Sequence, residues 1–396
     1  MRSIICMRIL LATENYHPNV NGSSIFTQRL AEYMSRRGHT VRVVKPSRYC
    51  SRERYVHHGA ETIGIGSLPL FVQGFRTCVP GLVLPQMRKI VADFKPDIVH
   101  VQDHFSIGSA AIRAAKRAGI PVMGTNHFMP ENVVHYLHLP GIIERLVKKG
   151  AWAHFRSVYG KADCITTPTM TAAGLLKNIG LRHLPIAVSC GIDLALFHPG
   201  AAESAVVRKY SLPQKKILLT VCRLDKEKQI DLVLRAFAAL KDRSLIQLVL
   251  AGKGAEEQKL HSLAKELGLS QNVSFLGYVP DDDLPSLYRA ADCFLIAGIA
   301  ELQSIATLEA MATGLPVIAA DAMALPELVK HGRNGYLFPP HDVSALTKCI
   351  ELIFEGDDRR KAMSLESLNI VSSHAISHSL ERYEELYAKL INTPRS

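Results

Sequence analysis

No apolar run in this chain reaches the roughly 18 residues that a helix needs to cross a bilayer, which excludes a membrane-spanning helix from the expected architecture. The opening residues, Met1 to Ala12, are interrupted by Arg8. Their apolar part is too short for a signal peptide and reads as a first strand, with Met7 as a second candidate start. The eight cysteines are scattered and none forms a Cys-x-x-Cys pair. Several lie in apolar, strand-like runs, so they read as buried free thiols of a reducing compartment, not as disulfides or ligands. The 17 histidines include His57-His58 and His135-x-x-His138, yet no zinc-type Cys/His spacing and no His-Glu-x-x-His occurs, so no metal site is expected. Internal repeats and low-complexity tracts are lacking too. So are an aromatic-rich basic strand motif, a recognition helix and a zinc finger, and nucleic acid is not an expected partner.

What is present is ordinary for a globular protein, 47% hydrophobic and 21% charged, and 396 residues favour two domains. The net charge of +11 is unevenly spread. Residues 1–185 hold 24 Lys and Arg against 10 Asp and Glu, a balance of +14, whereas residues 186–396 hold 23 against 26, a balance of −3. The first half is therefore expected to meet something anionic, such as a phospholipid surface or a phosphorylated substrate, or to carry the excess as solvated surface.

Both halves alternate short apolar runs with helical spacing. Strands are expected over 8–12, 39–44, 97–102, 119–125 and 163–166, with helices from Phe26 to a stop at Gly38 and over 85–94, 107–118 and 142–158. The Gly- and Pro-rich stretch 51–83 fits neither period. A linker is read over 189–200, after which the alternation restarts. Strands follow over 216–221, 245–250, 273–276, 293–296, 317–320 and 335–338, and helices over 230–240, 256–267, 304–313, 343–354 and 376–391. Repeated βα units on either side of a linker argue for two parallel-sheet domains with a cleft between them.

Polar residues gather at the expected carboxyl ends of strands, where ligands collect in parallel sheets. In the first half these are Asn21-Gly22-Ser23, Asp103-His104 and Asn126-His127. In the second they are Arg223 with Lys228, Gly252-Lys253-Gly254, Gly277-Tyr278-Val279-Pro280, and Glu301 with Glu309. Gly22 opens a helix whose backbone N–H groups suit an anion. Arg223 and Lys228, across a short loop, suit a diphosphate. Ile305 and Glu309 share a helix face, so a ligand across that helix start meets N–H groups at its phosphates and Glu309 at its hydroxyls. Taken singly, each is also readable as something ordinary: a turn at Gly22, a satisfied structural histidine at His127, solvated surface at the charged residues.

In this order and spacing the residues resemble the glycosyltransferases of family 4, retaining enzymes that use nucleotide sugars and have the GT-B fold. The marks, spread over nearly the whole chain, are Gly22, Asn126-His127, Gly191-Ile192-Asp193 with Phe197-x-Pro199, Arg223-Leu224-x-x-x-Lys228, Leu276-Gly277-Tyr278-Val279, and Glu301-x7-Glu309 running into Gly314-Leu315-Pro316-Val317. The resemblance implies an α/β GT-B architecture, two Rossmann-like parallel-sheet domains facing each other across a cleft. The expected division is an acceptor-side domain over 1–188, a linker over 189–200, a nucleotide-sugar domain over 201–372, and a C-terminal helix within 373–396 packing back on the first domain.

It also implies roles. Arg223 and Lys228 would hold the donor diphosphate, with Gly22 approaching from the other domain. Glu309 would bind the ribose and Val279 would lie by the base. Backbone N–H groups around Gln303, Ser304 and Ile305 would hold phosphate or sugar. His127 would lie at the reaction centre, and Glu301 would contact the donor sugar, in catalysis or in binding alone. Such enzymes generally need no metal or other cofactor. The leaving diphosphate's charge falls to Arg, Lys and helix dipoles, and the departing phosphate takes the acceptor proton on the same face.

The loop departs from the common pattern, with Ala297-Gly298-Ile299-Ala300 before the first glutamate and Leu302-Gln303-Ser304 after it. The Glu-x-Gln run resembles the subset that glycosylates diacylglycerol and related lipids. So does the segment from Asn126-His127 through Pro130-Glu131-Asn132 to His135-Tyr136. Asp103, His104, Asn126, Glu131 and His135 are the acceptor-side candidates. The expectation is a hexosyltransferase moving a sugar from a nucleotide donor, UDP-sugar first, to a membrane lipid or cell-envelope glycoconjugate. It is placed in the cytoplasm, peripheral on an anionic inner membrane face. The alternatives are a soluble small-molecule acceptor, a nucleotide-sugar epimerase of the same fold, and a non-catalytic sugar-nucleotide binder.

Overall fold

Short apolar runs alternating with amphipathic helices give two sheets, one in each unit of the chain, parallel throughout except for one antiparallel edge strand in the first. The computed structural model describes residues 6–18, 22–69, 76–79, 81–130, 140–181 and 184–394. Its units are Met1–Ser189 together with Ser379–Ser396, and Cys190–His378. The candidates Glu131 and His135 lie outside the described residues.

The first unit holds strands β1 (Arg8–Ala12), β2 (Thr40–Pro46), β3 (Glu53–His57), β4 (Ala60–Ile65), β5 (Ser67–Pro69), β6 (Arg76–Cys78), β7 (Ile98–Val101), β8 (Val122–Thr125), β9 (Cys164–Thr167) and β10 (Ile186–Ala187). Its helices are α1 (Gly22–Arg36), α2 (Val83–Phe94), α3 (Ser106–Arg117), α4 (Gly141–Tyr159) and α5 (Met170–Asn178). Eight strands form one sheet in the order β10-β9-β8-β7-β1-β2-β4-β3, and β5 and β6 pair separately. Every residue of β7, β8 and β9 is buried, as expected of a parallel sheet covered on both faces. The strand order reverses between β1 and β7, which is the switch point where such sheets open a crevice.

The second unit holds β11 (Lys216–Val221), β12 (Ile246–Ala251), β13 (Val273–Gly277), β14 (Cys293–Ile296), β15 (Val317–Ala320) and β16 (Gly335–Phe338). Its helices are α6 (Ser204–Lys209), α7 (Ile230–Ala238), α8 (Glu257–Glu266), α9 (Leu284–Arg289), α10 (Ile305–Ala312), α11 (Leu325–Leu328), α12 (Val343–Phe354) and α13 (Asp357–Ser372). The six strands are all parallel, ordered β13-β12-β11-β14-β15-β16, and the switch point falls between β11 and β14. The last helix, α14 (Ile376–Asn392), leads from the second unit into the first, where Tyr383 and Tyr387 are buried. Among the described residues no helix is long and apolar enough to cross a membrane.

The two parallel sheets and most of the expected elements are present. The stretch 51–83 is where the structure supplies what periodicity does not. Here β3 and β4 form an antiparallel hairpin, turned by His58 and Gly59, which both have positive φ (46° and 79°). That is the two-residue turn that suits strand twist, but His-Gly lacks the Asn-Gly signature that announces it. Helices α5, α6, α9, α11 and α13 were not expected either. Four are nine residues or shorter, and α13 buries only Met363, Ser367 and Val371.

Candidate active site

In the second unit the expected donor residues stand on the two loops that leave the switch point. After β11 the chain makes a single 3-10 turn, Lys226–Lys228, with Leu224 buried beneath it. After β14 it runs through residues 297–304 to α10. Lys228 Nζ donates to Glu301 Oε1 at 2.5 Å, with the two side chains 12% and 13% exposed. Burial opposes the ammonium charge, but the Glu301 carboxylate outweighs it and holds Lys228 above its usual range. Gly298 lies against this pair: a Cβ there would lie 2.9 Å from Glu301 Oε1 and 3.5 Å from Lys228 Cδ, so a side chain at 298 would require the Glu301 carboxylate to shift. Glu301 itself lies beyond the end of β14 at Ile296, well out on the loop.

Arg223, half exposed, donates to the buried Asp225 carboxylate and, at 2.9 Å, to Glu227 Oε1. Asp225 in turn accepts Ala255 N–H at 3.0 Å, joining this loop to the one after β12. Two expected diphosphate cations are thus already matched with three carboxylates.

Helix α10 is capped by Ser304, whose Oγ accepts Thr307 N–H at 3.2 Å and Thr307 Oγ1–H at 2.8 Å. Gly314, left-handed at φ 84°, ends it. Ile305 and Glu309 are both half-buried on a helix whose other face is core. Glu309 Oε2 accepts the Tyr288 hydroxyl at 2.9 Å, and burial together with Glu309 holds that phenol well above its ordinary pKa. Gln303, just before the cap, accepts Cys190 N–H on Oε1 at 2.7 Å. Val279 is buried just past β13, beside an exposed Tyr278.

In the first unit the candidates stand on the segments that follow β1, β7 and β8. Gly22 is the first residue of α1, with open space where a Cβ would point. Asp103 is buried and accepts Thr13 Oγ1–H at 3.0 Å and Glu14 N–H at 2.6 Å; burial nonetheless pushes its carboxyl up. His127 follows β8. Its Nε2 lies 3.0 Å from Gln102 Oε1 and its ring 5.1 Å from that of Phe26. Burial pushes this imidazole down to about 4, so it is neutral. Asn126 turns Oδ1 back to Phe128 N–H at 3.0 Å. His104 is buried in a nest of Phe105, Phe128, Phe155 and Tyr159, where burial lowers it to about 3.

Several residues that matter here were not singled out in the sequence. Glu14 accepts Ile107 N–H at 2.6 Å and Ser106 Oγ–H at 3.0 Å, so it caps α3, while desolvation and Asp103 push its carboxyl up to about 8. Its place just after β1 follows the same strand-end rule that drew attention to Asp103. Asp225 and Glu227 lay in plain view between Arg223 and Lys228. Tyr288, on the six-residue α9, left no periodic signal. Among the described residues, no group of three or more His, Cys, Asp or Glu side chains is arranged to hold a metal ion.

Comparison with known proteins follows the same division. Residues 20–196 match the model of Glycosyltransferase Family 4, and residues 205–367 that of Glycosyl transferases group 1. The chain is 28% identical to the alpha-monoglucosyldiacylglycerol synthase of Streptococcus pneumoniae, over 97% of this chain and 86% of that protein. It is 28% identical to a GDP-mannose-dependent alpha-mannosyltransferase of Corynebacterium glutamicum, over 85% and 78%. Its fold is shared by the sucrose-phosphate synthase of Thermosynechococcus elongatus, with TM-score 0.79, 20% identity, and 98% and 99% of the two chains covered. Anabaena HepE, solved with UDP and glucose, gives TM-score 0.76 at 18% identity over 97% and 100%.

Proposed function

The chain belongs to the family-4 glycosyltransferases, and on that premise we propose that it moves a hexose from a nucleotide sugar, UDP-sugar first, to a hydroxyl of a membrane lipid, with retention at the anomeric carbon. The observation that carries the donor side is the Lys228–Glu301 pair beside Arg223 and the capped start of α10. A diphosphate arriving there supplies the negative charge that Glu301 now supplies to Lys228. Lys228 turns to the phosphates, and Glu301 is released to the sugar hydroxyls. Arg223 and the α10 N–H groups meet the charge that develops on the leaving diphosphate, Glu309 takes the ribose, and Val279 lies by the base. We assign Gly22 to the diphosphate and His127 to the reacting carbon.

In the transfer, the bond from C1 to the diphosphate oxygen breaks and a bond from C1 to the acceptor oxygen forms on the same face. The acceptor proton goes to the departing phosphate, so no side chain serves as general base and no metal is needed.

The lipid acceptor is supported by the diacylglycerol synthase likeness, which spans almost the whole chain. A membrane surface is supported by the first two turns of α4. There Ile142, Ile143 and Leu146 are exposed on a helix that also presents Arg145 and Lys149, within the half of the chain whose charge balance is +14. The test is a donor panel of UDP- and GDP-hexoses against diacylglycerol in anionic vesicles and against soluble hydroxyl acceptors. Products are read by mass spectrometry, anomeric configuration by NMR, and a parallel arm contains EDTA. An α-linked glycolipid formed equally with EDTA is the expected result. Donor isomerised without acceptor, transfer only to soluble acceptors, or a β-linkage would each overturn the corresponding part.

A further inference from the structure

Gln102 follows β7 and is buried, its N–H bonded to Ala12 O at 2.9 Å. Its side-chain amide lies between two imidazoles. Oε1 is 3.0 Å from His127 Nε2, and Nε2 is 3.2 and 3.3 Å from the two ring nitrogens of His100. The in-plane sites of His100 are already taken, Nδ1 by the Tyr387 hydroxyl and Nε2 by Thr125 Oγ1, each at 2.6 Å. His100 is neutral, lowered to about 3 by burial and by His127. An amide nitrogen near-equidistant from both nitrogens of a ring so occupied sits over its π face. That face attracts N–H and repels a carbonyl oxygen. The amide therefore has one favourable orientation, NH2 over His100 and C=O toward His127. A carbonyl can only accept, so His127 Nε2 must carry the proton. The ring being neutral, Nδ1 keeps its lone pair, and among the described residues nothing is bonded to it.

We propose that Gln102 is a positioning residue that locks His127 in the Nε2–H tautomer, so that Nδ1 is offered as a hydrogen-bond acceptor to a sugar hydroxyl at the reaction centre. The lock extends from His127 through Gln102 and His100 to Tyr387 on α14. Its functional part rests on the assignment of His127 to the reaction centre; the proton placement does not.

The test is 15N NMR of the full chain labelled in its histidine rings, with the His127 signals identified by their loss in His127→Asn. The expected wild-type spectrum shows a protonated Nε2 and a bare Nδ1. Gln102→Leu should lose that preference and lower kcat about tenfold, with the donor KM unchanged within about twofold. Gln102→Glu, whose neutral acid form keeps a carbonyl toward His127 and an O–H over the His100 face, should keep the tautomer. A protonated Nδ1 in the wild type, or an unchanged tautomer in Gln102→Leu, would overturn the lock. Should Gln102→Leu fail to fold, the wild-type and Gln102→Glu spectra still decide. Normal turnover by His127→Asn would remove the role at the reaction centre and leave the tautomer result standing by itself.

Discussion

The two units solve the same problem in opposite ways. Each gathers polar side chains on the segments that follow the strands of its sheet, where burial opposes charge. The second unit keeps its charges and pairs them: Lys228 with Glu301, Arg223 with Asp225 and Glu227. The first unit gives charge up. His100 and His127 are held neutral, Glu14 and Asp103 are pushed toward protonation, and the groups are joined by hydrogen bonds to neutral partners. Ion pairs suit a surface that must exchange one anion for another, whereas neutral networks suit one that must hold hydroxyls in fixed orientations. The difference fits the proposal that the cations of the second unit hold the diphosphate while the first unit, Gly22 apart, holds hydroxyls.

The comparison breaks most directly at Lys228. Lys228→Ala leaves Glu301 enclosed without its cation, and kcat/KM should fall about a hundredfold, close to 2.7 kcal/mol. Glu301→Gln added to it should cost much less than it does alone, because the two act as a unit. Additive losses in the four-variant kinetic cycle would show the pair to be incidental. Arg223, half exposed, should matter less: Arg223→Ala is expected to lower turnover about tenfold, an effect that shrinks as salt is raised while that of Lys228→Ala does not.

The first unit should betray itself through pH. His100 and His104 are held at about 3 and His127 at about 4 in the folded chain, against 6.5 unfolded. The folded state therefore binds fewer protons across that window, and the stability these rings contribute is present above pH 6.5 and lost as pH falls toward 4. Glu14 works the other way. Held at about 8 against 4.5 unfolded, its carboxyl favours folding below pH 4.5 and loses that contribution as pH rises to 8. Denaturant midpoints of Glu14→Gln and wild type should thus diverge in favour of the variant from pH 5 to 8; parallel curves would mean that Glu14 is ionised in the fold. The smallest effect is expected at Tyr288→Phe, which removes the hydroxyl bonded to Glu309. A two- to fivefold loss of donor affinity by calorimetry, with kcat nearly unchanged, would mark it as aiming the ribose carboxylate.

The architecture was legible because buried parallel strands announce themselves: Cys293–Ile296 and Val317–Ala320 are apolar throughout and buried at every position. Arg223, Lys228, Glu301 and Glu309 could be singled out as a set because they lie on the loops and the helix that follow such strands, in the spacing that carries the family resemblance. What stayed hidden depends on partners distant in sequence. Nothing near Lys228 says that Glu301 will close on it, or that Gly298 lies against the pair. His127 was visible as a strand-end histidine, but its proton is set by Gln102, whose amide is oriented by His100 and a tyrosine 287 residues beyond it. The hairpin of β3 and β4 was hidden for a local reason, since its turn uses a histidine in a conformation that Asn or Gly usually fills.

Helix α14 has a consequence for how the protein is made. During synthesis the strands of the first unit leave the ribosome early, and amino-terminal domains generally fold first. Here His100 and Thr166 must wait for the hydroxyls of Tyr387 and Tyr383, and His39 for the carboxylate of Glu384, until the second unit has been translated in full. The amino-terminal half is thus the last to be finished. A nascent chain stalled before Tyr383 carries a complete second unit and a first sheet with its central polar groups still open to water.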